Sequence, residues 1–355
     1  MNITKAPELI KKLNADAIMV TSEENMHYFC SFSPSEGVII LTKNGGGIHF
    51  VDSRYTEAAQ HYAKKSKLSV REIEKSFCDE INDYTAENGI KALAFEDETI
   101  SYKKFNLFKE KLNADLIPAG QALNELRSVK SEGEIKLMKE AQKIAERAYT
   151  ELLNHIKPGK TEKELAAYFD YLMAQNGSGG VSFDTILLTG ERTSMPHGVP
   201  SDAVIKKGDF VLMDFGATYK GYHSDTTRCV AVGSYSEEME YYYNIVLSAQ
   251  LAGIDALCAG AKCRDVYYAA HNILAEKKCA QYFRHSLGHG VGLEIHEGCS
   301  ASPNSTDAFK PGNITTIEPG IYIPGKFGIR IEDVFYLTEG GKENLVTLNK
   351  NLITV

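Results

Sequence analysis

Two distant stretches of this chain are written on one plan, and that plan limits the fold more than any other feature. Gly208-Asp-Phe-Val-Leu-Met-Asp214-Phe-Gly216 and Gly312-Asn-Ile-Thr-Thr-Ile-Glu318-Pro-Gly320 each set a carboxylate six positions after one glycine and two before another. Each runs through a turn, Lys220-Gly221 or Pro324-Gly325, into a segment carrying a second acid. Those acids are Asp225 in His223-Ser-Asp-Thr-Thr-Arg228 and Glu332 in Arg330-Ile-Glu-Asp333. The pattern predicts two β-hairpins, each presenting one carboxylate per strand. Asp214 and Glu318 lie inside apolar runs, where an unpaired buried carboxylate is costly. Four such acids brought together repel and raise one another's pKa. Two divalent cations remove that conflict, and a hydroxide held between ions about 3.5–4 Å apart attacks a carbonyl near neutral pH.

A nitrogen ligand is expected from Phe283-Arg-His285-Ser-Leu-Gly-His289-Gly-Val-Gly-Leu-Glu-Ile-His296-Glu297. His285 and His289 are four apart, a helical spacing, but Gly288, Gly290 and Gly292 argue against a helix. The glycines suit backbone running close against a site. A lone histidine is more often structural; three at this spacing among glycines point to function. Oxygen donors with one imidazole and no thiolate favour manganese, cobalt, iron or zinc over a structural zinc.

Of 355 residues, 39 are Lys or Arg and 47 Asp or Glu, a net charge of -8 that argues against a duplex nucleic-acid partner. The seven cysteines are odd in number, irregularly spaced and without a Cys-x-x-Cys pair. They read as free thiols in a reducing cytosol, not a disulfide framework. No apolar run has signal-peptide or membrane-span character, so the expectation is a cytoplasmic protein with no membrane contact.

Short apolar runs at 17–21, 37–42, 48–52 and 92–95 predict strands, with Asn44-Gly45-Gly46-Gly47 as a hairpin loop and 102–112 as an amphipathic helix. This is a mixed α/β region without a catalytic motif. Near residue 128 the texture changes. A helix is predicted over 131–156, with Ile135, Met138, Ala141, Ala145, Ala148 and Leu152 on one face. Thr161-x-x-Glu164 reads as a capping box opening a helix to about 176, and two further helices are expected over 237–257 and 265–277.

The segments MDFG, HSDTTR, GHGVGLEIHE, TIEPG and RIEDV resemble those of the pita-bread metallopeptidases, a superfamily of Xaa-Pro aminopeptidases, Xaa-Pro dipeptidases (prolidases), methionine aminopeptidases and creatinase. The resemblance covers essentially the whole chain. It includes Thr21-Ser-Glu-Glu-Asn25-Met-His-Tyr28 and Val51-Asp-Ser-Arg-Tyr55, and a junction at Leu126-Arg-Ser-Val-Lys130-Ser-Glu-Gly-Glu134-Ile135. It implies an α+β protein: a creatinase/prolidase-type α/β N-terminal domain over 1–127 and a pita-bread catalytic domain over 128–355. The latter is a curved mixed or antiparallel sheet flanked by helices.

Roles follow from the resemblance position by position. Asp214 is a terminal ligand of one metal, Asp225 and Glu332 bridge, and His289 and Glu318 complete the second. Glu318 also moves a proton, His296 hydrogen-bonds the scissile carbonyl, and His197 in Met195-Pro-His-Gly-Val-Pro200 binds substrate. His285 lies near the proline site, with Tyr322 and Arg330 as supporting or substrate-facing groups. The implied cofactors are two divalent ions per subunit, Mn2+ first, then Co2+, with Zn2+ or Fe2+ also compatible. The implied partners are short proline-containing peptides and a second copy in a homodimer.

Creatinase lacks these ligands, and methionine aminopeptidases generally lack such an N-terminal domain. A binding module that has lost its metals is disfavoured because all five ligands are present. Between the remaining readings, the expectation leans to an Xaa-Pro aminopeptidase, with an Xaa-Pro dipeptidase as the alternative. One departure stands out. Gly190-Glu-Arg-Thr-Ser-Met195 is more charged than in relatives, so Glu191 and Arg192 either alter access to the site or form a solvated loop.

Overall fold

The computed structural model describes residues 2–355, which form two compact units, one running to Arg127 and the other Ser128–Val355. The first holds β1 (Ala17–Val20), β2 (Gly37–Thr42), β3 (Gly47–Val51), β4 (Leu68–Glu72), β5 (Ala92–Phe95) and β6 (Asp115–Pro118). They make one mixed sheet in the order β4-β3-β2-β1-β5-β6. Its core gathers Met19, Ile40, Phe50, Leu93 and Phe95. The four apolar runs are strands as predicted. The edge strands β4 and β6 were not anticipated, because LSVRE and DLIP carry too few apolar residues to stand out, and edge positions do not require them.

The second unit opens with the Glu132–Leu152 helix, whose start is fixed by a capping box between Ser131 and Glu134. The expected box of Thr161 and Glu164 opens the Glu162–Gln175 helix. The Glu237–Ala256 and Cys263–Glu276 helices follow further on. Among the described residues, no helix is long and apolar enough to cross a membrane.

The strands of this unit are β7 (Ile186–Thr189), β8 (Phe210–Phe215), β9 (Thr218–Tyr219), β10 (Tyr222–His223), β11 (Thr226–Ala231), β12 (Gly288–His289), β13 (Ser300–Ala301), β14 (Ile314–Ile317), β15 (Gly320–Ile323), β16 (Phe327–Arg330), β17 (Asp333–Thr338) and β18 (Gly341–Asn344). The repeat read from the sequence is realised as two nested hairpins. β8 pairs with β11 around the inner pair β9–β10, and β14 pairs with β17 around β15–β16. Every pairing of named strands here is antiparallel, and the whole is an α+β fold.

One detail differs from expectation. Asp214 is inside β8, but Asp225, Glu318 and Glu332 occupy the breaks between outer and inner ladders, not the strands themselves. The chain bends there from one partner to the next, and the acids sit at the bends.

β8 shows how the site is seated. Val211, Met213 and Phe215 join the core under the Glu132–Leu152 and Glu162–Gln175 helices, while Phe210 and Leu212 join the core under the other two. By strand alternation Asp214 shares the Phe210 and Leu212 face. The hairpins are fastened to each other by Arg228, which is buried. Its Nη1 donates to the carbonyls of Thr227 (2.9 Å) and Glu332 (2.6 Å), and its Nη2 to Asp333 Oδ1 (2.7 Å).

Candidate metal centre

The bends and β12 bring Asp225, His289 and Glu332 together, each offering one ligand atom within 4.8 Å of the others. His289 Nε2 lies 3.5 Å from Asp225 Oδ2 and 3.4 Å from Glu318 Oε1. The histidine reaches this point because its strand presses against β14. A Cβ on Gly288 would lie 1.9 Å from the Thr316 carbonyl oxygen, so only glycine permits that approach. The predicted avoidance of helix in this stretch is therefore met by a short strand and a close-packed loop.

Hydrogen bonding fixes the imidazole's state. His289 Nδ1 lies 3.1 Å from the Gly290 carbonyl and donates to it, which leaves Nε2 as a bare lone pair. Burial, and then the charge of His296, push its pKa down to about 4, so the ring is neutral at pH 7. That lone pair faces the oxygens of Asp225 and Glu318. Asp214 Oδ1 and Glu332 Oε1 are also buried with no hydrogen-bond partner. Burial, then neighbouring carboxylates, push Asp225 and Glu332 well above the usual carboxylate range. Burial pushes Glu318 to about 8, with Arg330 opposing and Asp214 adding to the rise. A set of inward-facing acids with orphaned oxygens, driven by burial and by one another to hold protons, fits divalent cations, which replace those protons and relieve all of these costs at once.

Asp214 and Glu318 stand outside the tight group of three. Glu318 touches it through His289 and accepts a hydrogen bond from Thr316 Oγ1 at 3.2 Å. Asp214 is held through Oδ2 by Arg330 Nη2. The rest of Arg330, itself buried, is also engaged: Nε donates to Thr227 Oγ1 (2.9 Å) and Nη1 to Tyr322 OH (2.7 Å). With its lone pair taken, the Tyr322 hydroxyl donates to His285 Nε2 at 3.0 Å, because His285 Nδ1 already donates to the Ser286 carbonyl at 2.7 Å. Burial, then Arg330, press His285 down to about 3.

Thr227 was missed by the sequence reading. Its hydroxyl accepts from Arg330 and donates to Glu332 Oε2 at 2.7 Å. The available signal was its position two residues beyond Asp225 in HSDTTR. His296 stacks edge-on against His289 with ring centroids 4.2 Å apart. His197 lies near enough to bear electrostatically on both His285 and His296, and Pro196 before it accepts from Arg330 Nη1 at 3.4 Å.

Residues 136–339 match the model of metallopeptidase family M24, and residues 3–129 that of the creatinase/prolidase N-terminal domain. The chain belongs to metallopeptidase family M24. It is a peptidase of the pita-bread, prolidase-type branch. The Xaa-Pro dipeptidase of Pyrococcus furiosus is 37% identical over 352 residues, 99% of each chain. Among solved structures, the M24 chain is similar to the Xaa-Pro dipeptidase from Bacillus anthracis, at 38% identity with a TM-score of 0.93 over 99% of each chain. It is similar also to the X-Pro aminopeptidase from Thermotoga maritima, at 36% identity and a TM-score of 0.92, covering 98% of this chain and 100% of that one.

Proposed function

We propose that this peptidase is an Xaa-Pro dipeptidase, with two divalent ions held by Asp214, Asp225, His289, Glu318 and Glu332. The observation that carries the metal reading is the bare His289 Nε2 facing Asp225 and Glu318 beside orphaned oxygens of Asp214 and Glu332. The sequence leaned toward an aminopeptidase. The Pyrococcus and Bacillus anthracis relatives, both named dipeptidases, move the preference to the alternative. The Thermotoga structure keeps the aminopeptidase as the second reading.

Divalent ions at such a site acidify a water molecule and polarise the scissile carbonyl. Asp214, Asp225, His289, Glu318 and Glu332 would hold these ions through their carboxylate oxygens and the His289 Nε2. Glu318 accepts the proton of the attacking water and returns it to the departing proline nitrogen. His296 donates to the carbonyl oxygen as negative charge develops there. His197 and His285 contact the peptide on the side of its proline. Arg330 and Tyr322 hold Asp214 and His285 in place, since their donors are already committed to those residues.

The test supplies Ala-Pro and Ala-Pro-Ala to protein loaded with manganese or cobalt, beside a chelated control. Cleavage of Ala-Pro alone is expected. Release of alanine from Ala-Pro-Ala makes it an aminopeptidase, and full activity in the chelated sample overturns the metal reading.

A further inference from the structure

In the charged segment before His197, Glu191 is exposed, but Arg192 is not a free loop charge. Glu162, at the first turn of its helix, is fully buried, and its carboxylate draws in four groups from the chain between Thr189 and Ser201. It accepts from the Thr189 amide (2.8 Å), from the Ser201 amide and hydroxyl (2.8 and 2.7 Å), and from Arg192 Nε (3.1 and 3.0 Å to its two oxygens). Arg192 Nη2 then donates to the Val199 carbonyl at 2.8 Å. One carboxylate therefore closes both ends of the segment, and one guanidinium ties its middle to its exit. His197 lies inside the closed loop. On the other side, Thr193 Oγ1 accepts the Gly328 amide at 2.8 Å, and a Cβ on Gly328 would come within 2.1 Å of the Thr193 carbonyl oxygen. The loop is pressed onto the strand that ends in Arg330.

We propose that Glu162 and Arg192 are positioning residues that fix His197 for the substrate, an inference resting on the peptidase reading above. Arginine suits this place because its planar fork serves two acceptors at once, which an ammonium on a flexible stem does not. Small displacements of a substrate-holding group cost far more rate than stability, with about 10²-fold attached to roughly 1 Å.

The experiment compares the wild type with Arg192→Met and Arg192→Lys, all metal-loaded, by kinetics on Ala-Pro and by hydrogen exchange over residues 189–201. Arg192→Lys keeps a positive charge beside the buried carboxylate and guards against a variant that fails to fold. Metal content is expected to hold in both. The value of kcat/KM is expected to fall roughly tenfold to hundredfold, and exchange to quicken within 189–201 but not in β8 or β11. In a His197→Ala background the Arg192 change is expected to add nothing, because both act through one side chain. Wild-type kinetics and exchange in Arg192→Lys overturn the proposal, as does an equal loss in the His197→Ala background. If wild-type protein cleaves no Xaa-Pro substrate the Xaa-Pro reading falls, and the exchange comparison alone decides the clamp.

Discussion

His289 is more informative for what it lacks than for what it touches. With Nδ1 spent on Gly290, its free nitrogen looks into the oxygens of Asp225 and Glu318, acids held so closely that a cation is their natural partner. Removing one acid should therefore weaken cation binding without opening the fold. Asp214→Asn or Glu332→Gln is expected to abolish peptidase activity and reduce bound metal by elemental analysis, with far-ultraviolet dichroism unchanged. His296→Ala is expected to keep its metal and lose about 10²–10³ in kcat, the scale for a lost oxyanion donor. Retained metal with unchanged kcat would remove His296 from that role. Thr227→Val removes the hydrogen-bond donor to Glu332 and the acceptor for Arg330 together, whereas Thr227→Ser preserves both. Metal affinity by competition with a chelating dye is expected to fall in the first variant, about 10-fold or more as for other groups that orient ligands, and to return in the second.

At the scale of elements, the matched runs of glycine, apolar residues and acid were enough to read two hairpins, because such runs are local and periodic. The nesting was not legible. Whether a strand pairs with its neighbour or with one beyond depends on contacts such as Arg228 to Glu332, which no local pattern announces. The same holds for Glu162, whose partners lie 27 to 39 positions away. It held no place in a motif, so its neighbour in space, Arg192, looked like a loop charge. Arg228 gives a direct check on the docking of the hairpins. Its ion pair with Asp333 is buried on both sides; Lys350 also pairs with Asp333 at 2.8 Å, so removing Arg228 costs chiefly the buried hydrogen bonds it makes, about 1–3 kcal/mol for a buried group left unsatisfied. Arg228→Leu is expected to lower unfolding free energy in urea by that order. A change near zero would show that the backbone ladders alone hold the hairpins together.

For the whole molecule, the acids and histidines give the metal-free protein a stability that depends on pH. Glu318 has its pKa raised from the usual 4.5 to about 8, so the folded chain keeps a proton that the unfolded chain releases. Stability from that group is present below 4.5 and is lost as pH rises toward 8. His285 and His289 are lowered from 6.5 to about 3 and about 4, so they cost stability only as pH falls below 6.5. Above 6.5 the carboxylates act alone. Melting of chelated protein is expected to shift downward between pH 6.5 and 8, while metal-loaded protein stays level. An equal shift in both would place the titrating groups elsewhere.

The two hairpins also set an order of events during synthesis. Thr227 and Glu332 are separated by 105 positions, yet they share a hydrogen bond at the heart of the site. Loops of that length close slowly compared with a local turn. While the ribosome is still making the second hairpin, the chain already carries Asp214, Asp225 and His289 of the proposed set, but Glu332 is yet to come. On the proposed ligand set, the site is complete only once Glu332 has emerged and docked.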